Sequence, residues 1–149
     1  MTRDALPLAC SWPIWEQESK FDLGCILNCA VIDAIEPLET GALGMHHAGL
    51  WECDLEKETL IWSGGVYDMF GLERGVSITR EQAVLHYLDD SRVKLERLRS
   101  HAIKHKRGFT LDVEIYAATV RERRRMRVIA APALECDRVV RLHGIKMII

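Results

Sequence analysis

Nowhere do the 149 residues offer the run of roughly 18 to 20 apolar positions that a membrane-spanning helix requires. Nor does charge of one sign dominate. With 20 basic and 22 acidic side chains the net charge is −2, so there is no overall positive field to hold nucleic acid or an anionic lipid surface, and neither is expected as a partner. The opening MTRDALPLACSW has too short an apolar part, interrupted by Asp4, to be an export signal ending at Cys10, and the chain is read as cytoplasmic. The cysteines are few and odd in number: Cys10, Cys25, Cys29, Cys53 and Cys136. Without an export signal they do not suggest a disulfide framework. Cys25 and Cys29 would share a helix face, but no further Cys or His pair completes a tetrahedral metal set in sequence, so the thiols read as reduced and mostly buried.

Catalytic patterns are missing as well. Gly64 and Gly65 form no phosphate loop, no nucleophile stands beside a base, and the acidic stretches DLEKE, LDD and RER fall on turns and caps. The chain is therefore not expected to be an enzyme. What it does have is the composition of an ordinary globular protein, 48% hydrophobic and 28% charged, in a length that suits one domain with an appendage.

The first 21 residues, with Pro7, Pro13, Trp12 and Trp15, show no period and predict an irregular arm whose tryptophans dock on an apolar surface. From Asp22 to Glu36, Leu23, Ile26, Leu27, Ala30, Val31, Ala34 and Ile35 recur at helical spacing, with Asp22 as cap and Pro37 as stop. A short second helix is expected in PLETGALGMHH. GLWECDL and TLIWS, joined by EKE, predict a hairpin, and GGVYDMFGL a brief helix closed by Gly71. Thr79 to His86 predicts another short helix with Thr79 as cap.

The clearest helix is DDSRVKLERLRSHAIKHKRG, capped by Asp89 or Asp90, with Val93, Leu95, Leu98, Ala102 and Ile103 as its apolar stripe and Gly108 at its end. Beyond it the period becomes two. FTLDVEIYA, RRMRVIAAPAL and VVRLHGIKMII predict three strands, the last two linked by ECDR. In the final strand Val139, Arg141, His143, Ile145 and Met147 share one face, and Val140, Leu142, Gly144 and Ile148 the other. Since both faces are apolar, the one turned away from the core needs a cover. In RERRRMR, residues 121–127, Arg121, Arg123, Arg125 and Arg127 form a row that would either grip a phosphate or acidic partner or be a solvated face balanced by Asp112, Glu114 and Glu122.

In this order GLWECDL, LIWS, VYDMFGL, LHYLDDSR, GFTLDVEI, RRRMRVIAAP and RVVRLHGIKMII resemble the PAS family, in the branch whose first strand reads Gly-x-Trp-x-x-Asp. The resemblance spans about residues 46–149. It departs from the family at Tyr87, where a proline often follows the histidine, and at Arg125, where the penultimate strand often has tryptophan. It implies an α+β fold: a five-stranded antiparallel sheet curved around a small cavity, with short helices and one long helix over one face. Residues 1–45 would then be an N-terminal helical extension serving as cap or dimerisation element.

The resemblance further implies a sensory and interaction domain of a signalling protein, binding a small ligand or partner and transmitting the event through dimer geometry. Its pocket would be lined by Cys53, Ile61, Tyr67, Phe70, Val93, Leu98, Phe109, Leu111, Val113, Met126, Val128 and Leu142, with the Tyr67 hydroxyl orienting the guest. Its homodimer interface would include Ile26, Val31, Ile35, Ile145 and Met147. Haem is not expected, because His101 and His105 lie nearer the end of the long helix than in haem-binding relatives. Covalent flavin chemistry is not expected either, since no cysteine falls between Cys53 and Cys136, while a noncovalent flavin stays open. An output domain or signalling partner is implied. Two alternatives remain: a ligand-free dimerisation scaffold whose cavity is filled by Phe70, Phe109 and Met126, and a small open-cone α+β enzyme, which would need an acid or base pointing inward.

Overall fold

A six-stranded antiparallel sheet organises the described part of the chain, residues 8–21, 48–119 and 121–149 of a computed structural model. Its strands are β1 (Ser11–Pro13), β2 (Ala48–Asp54), β3 (Thr59–Trp62), β4 (Arg107–Ala117), β5 (Glu122–Glu135) and β6 (Arg138–Ile148), in the spatial order β1-β4-β5-β6-β2-β3. The five expected strands all form, and the N-terminal arm adds the sixth at the edge beside β4. The helix expected from Asp22 to Glu36, the short one before His47, and Ile26, Val31 and Ile35 lie outside the described residues.

Between the β3 edge and β4, near the opposite side of the sheet, the chain forms α2 (Gly64–Phe70), α3 (Arg80–Val84) and α4 (Asp89–His105), following the short N-terminal α1 (Gln17–Lys20). The β2–β3 turn is held by Asp54, whose Oδ1 accepts from the amides of Glu56 and Lys57, each at 2.9 Å. Gly71 ends α2 at φ +67°, where a side chain would be strained, as its sequence position predicts. The carbonyls of Asp68 and Met69 in the last turn of α2 accept from Arg124 at 2.9 Å. Thr79 caps α3 in a reciprocal box: its Oγ1 accepts from the Gln82 amide, and the Gln82 side chain accepts from the Thr79 amide.

The long helix departs from its expected ends. Leu88 is its N-cap without any side-chain bond, Asp89 and Asp90 fall in the first turn, and Lys106 closes it at φ +55°, two residues before Gly108. Acidic groups at the start and Lys104 at the end still suit the helix dipole. Leu98 and Ala102 are buried, whereas Val93 faces solvent.

In β4 burial alternates as the period of two requires: Phe109, Leu111, Val113 and Ile115 face inward, and Asp112, Glu114 and Tyr116 face outward. The arginine row is resolved in favour of a solvated, balanced face at its strongest point. Arg127 donates to both Asp112 carboxylate oxygens, at 2.7 and 3.1 Å, across the β4–β5 pair, while Arg121 lies in the turn before β5.

The sheet carries apolar clusters on both faces. One, beneath the helices, is the main core and includes Trp51, Trp62, Phe70, Leu98, Phe109 and Met126. The other gathers Leu50, Ile129, Ala131 and Ile145 under Trp12 and Phe21 of the N-terminal segment. Trp12 docks as expected and its Nε1 donates to Thr110 Oγ1 at 3.1 Å, but Trp15 is 82% exposed. Gly108 sits opposite Trp12 because a Cβ there would lie 2.2 Å from the indole ring. Ile145, expected at a dimer interface, is fully buried within this chain's own second cluster, and Met147 is half-buried at its border.

Candidate functional site

Between the inner face of the sheet and helices α3 and α4 lies a cavity with about 60 Å³ of room for water-sized molecules. Strand alternation places its floor: Trp51 and Cys53 from β2, Phe109 from β4, Val128 from β5, and Leu142 and Lys146 from β6. Ala83, Val84, Tyr87 and Leu95 close it above, and Arg80, Glu96 and Arg99 stand at its rim. The rim charges pair among themselves. Arg80 meets Glu96 and also Glu58 at 3.9 Å, and Arg99 donates to Glu58 at 3.2 Å, tying α3 and α4 to the β2–β3 turn.

Of the expected pocket residues, the cavity wall brings together Cys53, Phe109, Val128 and Leu142. Tyr67, Phe70, Leu98, Leu111, Val113 and Met126 belong to the same core but pack behind that wall. Ile61 and Val93 are about half exposed and lie outside it, since strand alternation and the helix face turn them to solvent. The hydroxyl of Tyr67 does not wait for a guest; it donates to the Val76 carbonyl at 2.7 Å.

The central group is a lysine that the apolar pattern of the last strand does not single out. Lys146 occupies the inner face of β6, in register between Gly49 of β2 and Val128 of β5. It is only 6% exposed. Its Nζ lies 5.0 Å from the ring centroid of Trp51, 5.3 Å from Phe70, 5.4 Å from Trp62 and 5.8 Å from Tyr87. No carboxylate pairs with it among the described ion pairs. Burial pushes its pKa down to about 7, against a smaller opposing effect of Cys53. The ring faces favour the cation. Near neutral pH the amine is thus divided between its two forms.

The surrounding polar atoms are chiefly donors. The indole nitrogens of Trp51 and Trp62 are buried with no hydrogen-bond partner among the described residues. Burial raises the Cys53 thiol and the Tyr87 hydroxyl, so both remain protonated, although the Arg99 and Arg80 charges respectively pull the other way. The sequence signal for Lys146 was present: a lone basic residue in the inward set Leu142, Gly144, Lys146, Ile148.

His101 and His105 stack 4.5 Å apart near the end of α4, and neither lines the cavity. The cavity room is also far below the roughly 300 Å³ and more of sites that enclose drug-sized ligands, so the residues present fit neither a haem nor a flavin ring system. No group of three or more potential metal ligands occurs among the described residues. No helix among them is long and apolar enough to cross a membrane.

The sequence matches no protein-family model and no curated protein. The fold, by contrast, is shared with many solved structures. It is similar to a sensory box histidine kinase/response regulator from Burkholderia thailandensis E264, with TM-score 0.63 and 15% identity over 75% of this chain and 84% of that one. It is similar to the PAS domain of a protein from Colwellia psychrerythraea, with TM-score 0.58 and 14% identity over 77% and 97%. A third similar structure is an RNA-binding light-oxygen-voltage receptor, with TM-score 0.59 and 18% identity over 68% of this chain but only 29% of that one. The chain has the PAS fold.

Proposed function

We propose that the chain is the sensory domain of a signalling protein, and that a small molecule occupying the cavity beside Lys146 is its signal. The observation that carries this reading is Lys146 itself. A buried amine lining an apolar cavity without a counter-charge among the described residues is costly to keep, and a purely structural core would be better served by an apolar side chain of the same volume. The cavity also lies where a guest would act on the long helix, since α4 supplies part of its roof and of its paired rim. Similar folds occur in a histidine kinase/response regulator and in a diguanylate cyclase with a PAS/PAC sensor from Marinobacter aquaeolei, which supports an output domain or partner for this one. A homodimer in the cytoplasm remains the setting of this reading. Met147, with Ile26, Val31 and Ile35, is the contact set it uses, and Ile145 acts instead as the support beneath Trp12 and Phe21.

Native mass spectrometry of gently purified protein, compared with the denatured mass, tests the reading. Extra mass lost on denaturation is the expected result. A bare chain that no small-molecule library stabilises would favour the ligand-free scaffold, a reading supported by the complete burial of Phe70 and Met126 and near-complete burial of Phe109 around a small cavity. The open-cone enzyme would need an acid or base pointing inward; Lys146 is one such base, but the carboxylate at the wall, Glu96, is tied to Arg80 and offers it no partner.

A further inference from the structure

The geometry points to Lys146 as a covalent capture site: its Nζ condenses with a small apolar aldehyde entering the cavity, holding it as an imine. This rests on the sensory reading and names the ligand class. The lysine lines an apolar cavity, its amine within 5.8 Å of four ring centroids, with no acid among the described residues to hold it as a salt. The rim does not select for a carboxylate, because Arg80 and Arg99 already pair with Glu58 and Glu96. Room of about 60 Å³ suits a guest of few atoms.

In the capture step the nitrogen lone pair attacks the carbonyl carbon, and the carbonyl π pair moves to oxygen, which takes up the proton that the now cationic nitrogen sheds. The resulting carbinolamine loses a nitrogen proton and its hydroxyl as water, leaving C=N. Amine and aldehyde give imine and water, and no oxidant or reductant takes part. Cys53 and Tyr87 are neutral lining groups and supply no charge of their own.

The titratable and charged groups facing the cavity are Cys53 from β2, Arg80 from α3, Tyr87 from the α3–α4 link, and Glu96 and Arg99 from α4. β4 and β5 contribute only Phe109 and Val128 to the lining. At neutral pH about half of Lys146 is the free amine, whereas an ordinary surface lysine is free to roughly one part in 10³ or less.

The test is brief treatment of the full chain with butanal and sodium cyanoborohydride at neutral pH, which reduces the imine to a stable butylamine, followed by peptide mapping. Label at Lys146 is expected to appear up to about 10³-fold faster than at surface lysines such as Lys20, Lys57 or Lys94, with a pH midpoint near the Lys146 pKa of about 7. Lys146→Met is expected to abolish that peptide's label alone. Label confined to the N-terminal amine and surface lysines overturns the inference. Stabilisation by butanoate with Lys146 unlabelled would also overturn it, in favour of noncovalent anion binding, while leaving the sensory reading intact.

Discussion

Lys146 is an uncompensated charge at the centre of an otherwise apolar core, and its cost must appear in stability. The unfolded chain takes up that proton near 10.5, the folded one near 7. Below pH 7 both states hold the proton and the fold bears the full penalty. Between the two values the unfolded state holds more protons, so stability climbs with pH, by at most about 1.4 kcal/mol per pH unit. Lys146→Met keeps most of the side-chain length and removes this dependence, and it is expected to be about 1–4 kcal/mol more stable than wild type at neutral pH. The gap narrows as pH rises from about 7 to about 10. Urea midpoints of both proteins across that range check it; a constant gap would mean that Lys146 titrates in the folded protein as it does in the unfolded chain, its charge paired or solvated. His143 obeys the same sign at lower pH. Its pKa is pushed down to about 4 by burial beside Phe21, with Arg141 adding to the effect, so stability is lost as pH falls from about 6.5 through 4. Burial of single charged groups was the least legible feature of the sequence. Alternation placed Leu142 and Gly144 on the inner face, but a lysine two positions on reads as solvated unless the alternation is carried through it.

At the scale of elements, β4 was legible because one face is buried and the other wet, so its period of two is unbroken from Phe109 to Tyr116. The ends of α4 were less so. Asp89 and Asp90 are good caps by type, yet Leu88 takes the cap position because its amide donates to the Glu114 carbonyl and sets the entry of the chain. The edge strand β1 carries no pattern of its own: three residues join the sheet because Trp12 fits over Gly108 and is anchored on Thr110. This separates two tryptophans that look alike in sequence. Trp12→Ala is expected to cost about 3–5 kcal/mol, the range for removing a buried aromatic side chain, and to release β1 from β4. Trp15→Ala, at an 82% exposed position, should change stability by less than about 0.5 kcal/mol. Paired denaturation curves decide, with amide exchange at Phe109 reporting whether β1 has left.

For the molecule as a whole, residues 8–21 are built onto the sheet, with β1 paired to β4 and Trp12 and Phe21 on the outer face. A PAS sheet needs helices on one face only, and here β5 and β6 also present Ile129, Ala131 and Ile145 on the other, where Trp12 and Phe21 cover them. The hydrophobic reading of both faces of the last strand foresaw the need for a cover but not which residues supply it. A chain beginning at Ala48 keeps every buried residue of the main core and loses Cys10 at its border and the Trp12 and Phe21 contacts. It is expected to retain its strands by circular dichroism, bind a hydrophobic dye, and self-associate through the uncovered face, because exposed contiguous apolar surface is rarely tolerated by a monomer. Light scattering of the shortened and full chains at equal concentration makes the comparison. A shortened chain with unchanged association and no dye binding would show that the outer cluster contributes little, and that β5 and β6 carry their apolar outer face without help.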